Sequence, residues 1–322
     1  MSGLNGRRHN VQSLTQKIKS RALELGFTKV GIARAEALTE EGKHLSEWLN
    51  RWYHGTMEWM EKNVEKRSDP RAILPNAKSV VCVAMNYYTD TQHPVDPTVG
   101  RISRYAWGDD YHIVVTERLR QLFHDIKTFA PEVNGKLYVD TGPVMDKAWA
   151  VRAGIGWLGK HTNVITKDYG SWVFLGEIIL DAELEYDEPI TDFCGSCTAC
   201  IEACPTGAIT EPYVLDSTKC ISYLTIEHRG PIHNELKPHL ENWIYGCDIC
   251  QDVCPWNKFQ QPTEEQSFQP RKENIAPRLS ELAELTQAEF SERFRKSPMK
   301  RTKRDGLVRN AGAVLEGQES IV

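Results

Sequence analysis

Four cysteines fall between positions 194 and 204 in the stretch "CGSCTACIEACPTGAI". Their spacing, Cys194-x2-Cys197-x2-Cys200-x3-Cys204-Pro205, lets three thiolates converge on one face of an iron–sulfur cubane while the fourth leaves toward another cluster. Pro205 turns the chain in that direction. A second, shorter run, Cys247-x2-Cys250-x3-Cys254-Pro255, ends in the same way, so Cys254 is expected to cross back. Cluster one then takes Cys194, Cys197, Cys200 and Cys254. Cluster two takes Cys204, Cys247 and Cys250, and Cys220 of "KCISYL" supplies its last thiolate. Eight of the chain's nine cysteines thus serve two 4Fe–4S clusters. Cys-x2-Cys pairs also bind zinc, but the tight first run suits a cubane better. Two adjacent clusters make an electron wire, and the residues before them must hold what receives the electrons.

Two further features could take part in chemistry. The loop "AGIGWLGKHTN" (153–163) satisfies both G-x-G-x-x-G and G-x-x-x-x-G-K, but His161 stands where a P-loop needs Ser or Thr for magnesium. No apolar strand leads into it, so it reads as a helix-to-loop turn bringing backbone close to a large cofactor rather than a nucleotide site. Asp140 ends the strand "KLYVD" and precedes the turn "TGP". A carboxylate at a strand end can act as general acid or base. To donate a proton at neutral pH, its pKa would have to be raised by burial from about 3.9. The alternative is a capping or turn role.

The elements that must position these residues are legible in outline. A helix is expected over 11–27, stopping at Gly26, then a strand at "KVGIARA" and a helix over 39–53. "SVVCVAMNYY" (79–88) has the apolar run of a buried central strand, with Cys82 as core. A long amphipathic helix covers 111–130, followed by "KLYVD" and by a strand or strand pair at "SWVFLGEIILD" (171–181). The fold class is α+β. An N-terminal α/β domain (1–185) precedes a bacterial-ferredoxin-like two-cluster domain (186–262) and a short helical, basic C-terminal segment (263–322), with "QPTEEQSFQP" as linker.

With 322 residues, 40% hydrophobic and 26% charged, the composition is that of a soluble globular protein. The N-terminus lacks the apolar core of a signal peptide, and no run approaches the roughly 18 apolar residues of a membrane span. The expected compartment is the cytoplasm, where thiols stay reduced. A net charge of −5 does not describe a general polyanion binder. The segment "RFRKSPMKRTKRDGLVR" (293–309) nevertheless packs eight Lys or Arg against one Asp. It reads either as a solvated charged surface or as a local phosphate-binding patch.

Taken together the motifs resemble the epoxyqueuosine reductases, cobalamin-dependent iron–sulfur enzymes of tRNA modification related to the reductive dehalogenases. The resemblance runs along nearly the whole chain, through "YHGTMEWM", "EKRSDPRAILP", "SRYAWGDDYH", "YVDTGP", "AGIGWLGKH", the ferredoxin run, "CISYLTIE" and "YGCDICQDVCPWN". It implies a cobalamin-binding N-terminal domain with the cofactor base-off, and Asp140 as proton donor. It also implies cofactor contacts from Arg67, Ser103, Arg104, Lys160, Ser222 and Asp248. Two departures stand out. Asp109 replaces a usual basic residue, and the chain stops soon after "LVRNAGAVL", where longer members continue into a helical-repeat domain. That reads as a short variant or a truncation and leaves 293–309 to grip tRNA.

The implied activity is reduction of epoxyqueuosine to queuosine at the tRNA wobble position, with electrons passed through the clusters to cobalt while Asp140 protonates the departing oxygen. An external electron donor is required, and a monomer is typical of the family. Two other readings fit parts of the sequence: a dehalogenase-like reductase of a small molecule, against which the missing export signal and the basic segment count, and a plain electron-transfer ferredoxin, which would leave the first 185 residues without a purpose.

Overall fold

The computed structural model describes residues 4–320. Helix α1 (Leu4–Glu24) starts earlier than its apolar spacing suggests and stops where expected. Gly26 sits at φ +89° and donates to Leu23 O at 2.9 Å while Phe27 donates to Ala22 O at 3.2 Å, a left-handed glycine ending to a helix.

Four strands follow: β1 (Lys29–Arg34), β2 (Ser79–Asn86), β3 (Gly135–Tyr138) and β4 (Val173–Leu180). Their order in the sheet is β1-β2-β4-β3, and every pairing is antiparallel. Helices therefore cover the sheet without the parallel crossovers that alternating strands and helices often signal. All positions of β2 are buried, because it lies between two strands and both sheet faces are covered. On one face α1 and α2 (Tyr111–Phe129) contribute Ile18, Ala22, Val115, Leu119 and Ile126 against Val81, Val83 and Ile178. On the other, α3 (Asp146–Arg152) packs Trp149 and Ala150 against Val80, Cys82, Ala84 and Ile179. Cys82 is core, as its apolar neighbours require.

The cysteine-rich region consists of short elements. Ala199–Glu202 and Ile249–Asp252 are matching single-turn helices around Cys200 and Cys250, and Ile221–Ile226 follows Cys220. The strand Trp243–Tyr245 pairs in parallel with Arg101–Ile102. Helix α4 (Lys303–Glu319) closes this half by burying Leu307, Ala311 and Val314 with Trp243, Tyr245, Leu224 and Trp107. Its fully buried Asn310 donates to Thr225 O and Ile244 O, both at 2.8 Å, which satisfies a polar group that would otherwise be costly there. The stretch "QPTEEQSFQP" lies on the sheet: Phe268 is buried and meets Phe174 edge-on at 4.9 Å. No helix among the described residues is long and apolar enough to cross a membrane.

Candidate active site

A cavity of about 430 Å³ opens between the sheet and the cysteine-rich region. Cys204, Cys220, Cys247 and Cys250, the thiols assigned to the second cluster, all border it, and none of the first cluster's does. The sulfurs also group as the spacing requires. Burial pushes the Cys200 thiol up, and the neighbouring Cys254, Cys194 and Cys197 add to this. Burial likewise raises Cys247, with Cys250 and Cys220 beside it, and Cys250 in turn faces Cys220 and Cys204. Each tail cysteine has crossed to the other run. Cys200 also lies near Cys250, so the two groups are adjacent.

Asp140 lines this cavity as well. It lies just past β3 with φ +57°, a conformation Asp tolerates better than most side chains. Its Oδ2 accepts a 2.6 Å hydrogen bond from the Tyr111 hydroxyl and lies 3.4 Å from His112 Nε2. Asp110 caps α2, accepting from His112 N at 3.0 Å, and its Oδ1 is 2.7 Å from His112 Nδ1. The imidazole thus stands between two carboxylates. Burial works against its charge, but Asp110 and Asp140 prevail and raise it to about 9. The Asp140 side chain is 62% exposed, and that area opens into the cavity, whose walls still desolvate it. Desolvation pushes its pKa up; donation from His112 and Tyr111 prevails and holds it below the usual carboxylate value. The proton that Asp140 was expected to carry resides on His112.

Lys147 and His161 also line the cavity. Lys147 Nζ donates to Thr162 O at 2.9 Å and Asn163 Oδ1 at 2.8 Å. Burial lowers its pKa, against the fields of Asp140, Cys250 and Asp146. His161 is lowered to about 4 by burial and by Lys147, so it is neutral. Its Nδ1 accepts from Asn163 N at 3.2 Å, and its buried Nε2 has no protein partner. Tyr111, His112 and Lys147 were not singled out from the sequence, although Tyr111 and His112 lie within "SRYAWGDDYH", and His161 was noted only as the residue that breaks a P-loop.

Of the residues expected to contact a cofactor, Ser103 and Ser222 line the cavity. Asp248 is fully buried, accepts from Ser103 Oγ and from Arg104 N at 2.8 Å, and is raised to about 7 by burial and by Asp252. Arg104 donates to Thr91 O at 2.5 Å and Gln92 Oε1 at 3.1 Å, with Trp107 under its guanidinium at 5.0 Å. Lys160 Nζ donates to Gly195 O at 2.7 Å and Cys197 O at 2.9 Å, which pins the first cluster's loop. Arg67 makes long 3.4 Å contacts to Lys62 O and Trp59 O. Asp109 pairs with Arg271 at 2.6 Å, tying the loop before α2 to the C-terminal segment.

That segment packs on the loop before α2: Asp110 N donates to Lys296 O at 2.8 Å, and the field of Asp140 reaches Arg301. Its cations are unequal. Arg301 pairs with Glu227 through two 2.8 Å contacts, and Arg304 donates to Leu285 O at 2.7 Å. Arg295, Lys296, Lys300 and Lys303 are exposed.

Fold and site together define an iron–sulfur oxidoreductase whose inner cluster abuts a substrate-sized cavity. Residues 193–257 match the 4Fe-4S double cluster binding domain, which sets the zinc alternative aside, and residues 67–141 match the model described as Epoxyqueuosine reductase QueG, DUF1730. The epoxyqueuosine reductase of Leadbetterella byssophila is 50% identical, over 95% of this chain and 100% of its own. That of Escherichia coli is 41% identical, over 95% and 82%. A crystal structure of an epoxyqueuosine reductase with an epoxyqueuosine-modified tRNA-Tyr stem loop superposes with a TM-score of 0.89 at 36% identity, covering 94% of this chain and 81% of that one. The Bacillus subtilis enzyme, with its catalytic Asp loop swung out of the active site, gives 0.88 at 34% identity and the same coverage. The chain belongs to the epoxyqueuosine reductase family.

Proposed function

We propose that this enzyme reduces epoxyqueuosine at the tRNA wobble position to queuosine, the epoxide taking up two electrons and two protons to leave an alkene and water. The observation that carries this reading is the shared cavity: the four thiols assigned to the second cluster line it together with Asp140, which is backed by Tyr111 and His112. Electrons from an external donor would enter at the Cys194, Cys197, Cys200 and Cys254 end and leave at the cavity. Asp140 sits where it can pass a proton from His112 to the departing oxygen.

The cavity wall also offers polar groups to a cofactor. Ser103, Ser222 and Lys147 line it, and His161 presents a buried ring nitrogen with no protein partner. Base-off cobalamin would be held there by Ser222, Lys147 and His161, and when bound it supplies low-potential electron transfer to a carbon–oxygen bond. The exposed cations Arg295, Lys296, Lys300 and Lys303 would hold backbone phosphates of the anticodon loop while its unstacked base enters the cavity. A relative's catalytic Asp loop that swings out supports the same role for Asp140, which lies on a turn outside regular structure. The enzyme would work in the cytoplasm as a monomer.

The test is anaerobic reconstitution with iron, sulfide and cobalamin, followed by reaction with epoxyqueuosine tRNA and nucleoside analysis. About eight irons, one retained cobalamin and conversion to queuosine are expected. Full iron with no cobalamin retained, or no conversion, would overturn the reading.

A further inference from the structure

Strand β4 alternates its side chains between the two faces of the sheet. Val173, Leu175 and Ile179 belong to the α3 face, and Val173 and Leu175 reach the cavity. Glu177 is the next residue of that row. It is fully buried, opposite Cys82 of β2 and Tyr138 of β3. Neither of its carboxyl oxygens has a protein donor, nor does Asp146 Oδ1. The two carboxyl groups are within hydrogen-bonding reach of one another, where two acceptors can meet only if a proton lies between them. A lone carboxyl amid Val, Leu and Ile costs folding free energy that an aliphatic side chain there would not.

The surrounding charges say which member is ionised. Around Glu177 stand Asp146 and Asp140, both acidic, and the buried Cys82 thiol, itself pushed toward its neutral form by burial and Glu177. Asp146 shares the field of Asp140 but also has Lys147 beside it and the Arg67 guanidinium within its field. Two buried carboxylates in contact cannot both be charged. Burial and Asp146 drive Glu177 well above the ordinary carboxylate value, while the cations favour charge on Asp146. Asp146 also lines the cavity, so the pair runs from the sheet interior to the reaction space.

We propose that Glu177 and Asp146 share one proton at neutral pH and deliver it into the cavity as the second of the two protons the reduction consumes. The delivery rests on the proposed function; the shared proton does not. Opening the epoxide and expelling its oxygen breaks two C–O bonds with two electrons from the wire. The oxygen leaves as water after two protonations. The His112–Asp140 pair holds one proton, and the Glu177–Asp146 pair holds the other; both refill from solvent between turnovers.

Infrared difference spectroscopy on the substrate-free holoenzyme at pH 7 reads the pair directly. Wild type minus Glu177→Gln is expected to show the carbonyl stretch of a protonated carboxylic acid. Glu177→Gln keeps shape and donor but has no proton to give. It should lower kcat on the order of 10²-fold, leave iron content and the KM for tRNA unchanged, and keep the alkaline fall of kcat near pH 9 that His112 sets. Asp146→Asn, which leaves the strand untouched, should break the path into the cavity, lower kcat to a similar extent and displace the same band, and serves if the first variant folds poorly. A missing band, or wild-type kcat in both variants, overturns the inference even if wild type reduces its substrate. A wild-type enzyme that reduces no epoxyqueuosine overturns the delivery step together with the proposed function, with the band still reporting the pair.

Discussion

Asp140 Oδ2 lies 3.4 Å from His112 Nε2, and of the two it is His112 that carries the proton at neutral pH. The sequence called for burial to raise Asp140; the structure instead holds Asp140 down and raises the imidazole between Asp140 and Asp110. A carboxylate with a protonated neighbour in reach relays a proton as well as one that stores it, provided the neighbour is replenished.

The rate should therefore follow His112. In wild type kcat is expected to fall as pH rises through about 9, where the imidazole loses its proton. His112→Asn should lower kcat on the order of 10²-fold and remove that limb, with tRNA affinity unchanged. Stability has the same sign. A group whose value is raised from 6.5 to about 9 on folding contributes fully below about pH 6.5, and its contribution is lost as pH rises through about 9. Thermal melts of wild type should drop across that window and those of His112→Asn should stay flat. A persistent alkaline limb in the variant would rule out His112 as the proton's seat.

Lys160 is expected to matter for the outer cluster. Its ammonium bonds two carbonyls of the exposed Cys194–Cys197 loop, so Lys160→Met removes both hydrogen bonds, roughly 0.5–1.5 kcal/mol each, and frees the loop. Iron content after reconstitution should fall from about eight toward four, with the inner cluster's EPR signal retained. Full iron and an unchanged spectrum would show that the loop holds its shape without the lysine.

Cys220 and Cys82 provide a matched pair. Cys220→Ala should remove the inner cluster and abolish reduction. Cys82→Ala should keep both clusters and lose only buried volume, about 1–2 kcal/mol of stability. Iron analysis and urea melts separate the two. Loss of a cluster in Cys82→Ala would break the assignment of ligands.

The grouping of the cysteines was readable because thiolate spacing around a cubane is a local constraint, and only Cys220 had to be found by counting. The strand around Cys82 was readable for a similar reason, since a run buried on both faces must be apolar throughout. What remained hidden was every relationship between distant segments. Tyr111 reaches Asp140 across 29 positions, and nothing in "DDYH" says which carboxylate it will meet. Glu177 inside "SWVFLGEIILD" has the spacing of an outward-facing polar residue, and becomes an interior acid only because α3 covers that face. Charge counting found the basic segment but not its pairings: Arg301 meets Glu227 from 74 residues away.

Those pairings decide which cations remain available to RNA. Arg301 and Arg304 already have protein partners, so neutralising them would disturb Glu227 and the Leu285 carbonyl as well as any bound phosphate. Arg295, Lys296, Lys300 and Lys303 are exposed, and the Lys296 carbonyl meets Asp110 N, two residues before His112. Neutralising Lys296, Lys300 and Lys303 together should weaken tRNA binding on the order of tenfold or more at low salt. Each lost phosphate contact should also reduce the slope of log K against log salt by about 0.7 for single-stranded RNA. Filter binding across a salt series measures both, with thermal melts confirming an intact fold. An unchanged slope would move the tRNA grip to another surface, whereas a reduced slope with kcat preserved would separate holding the stem loop from reducing its base.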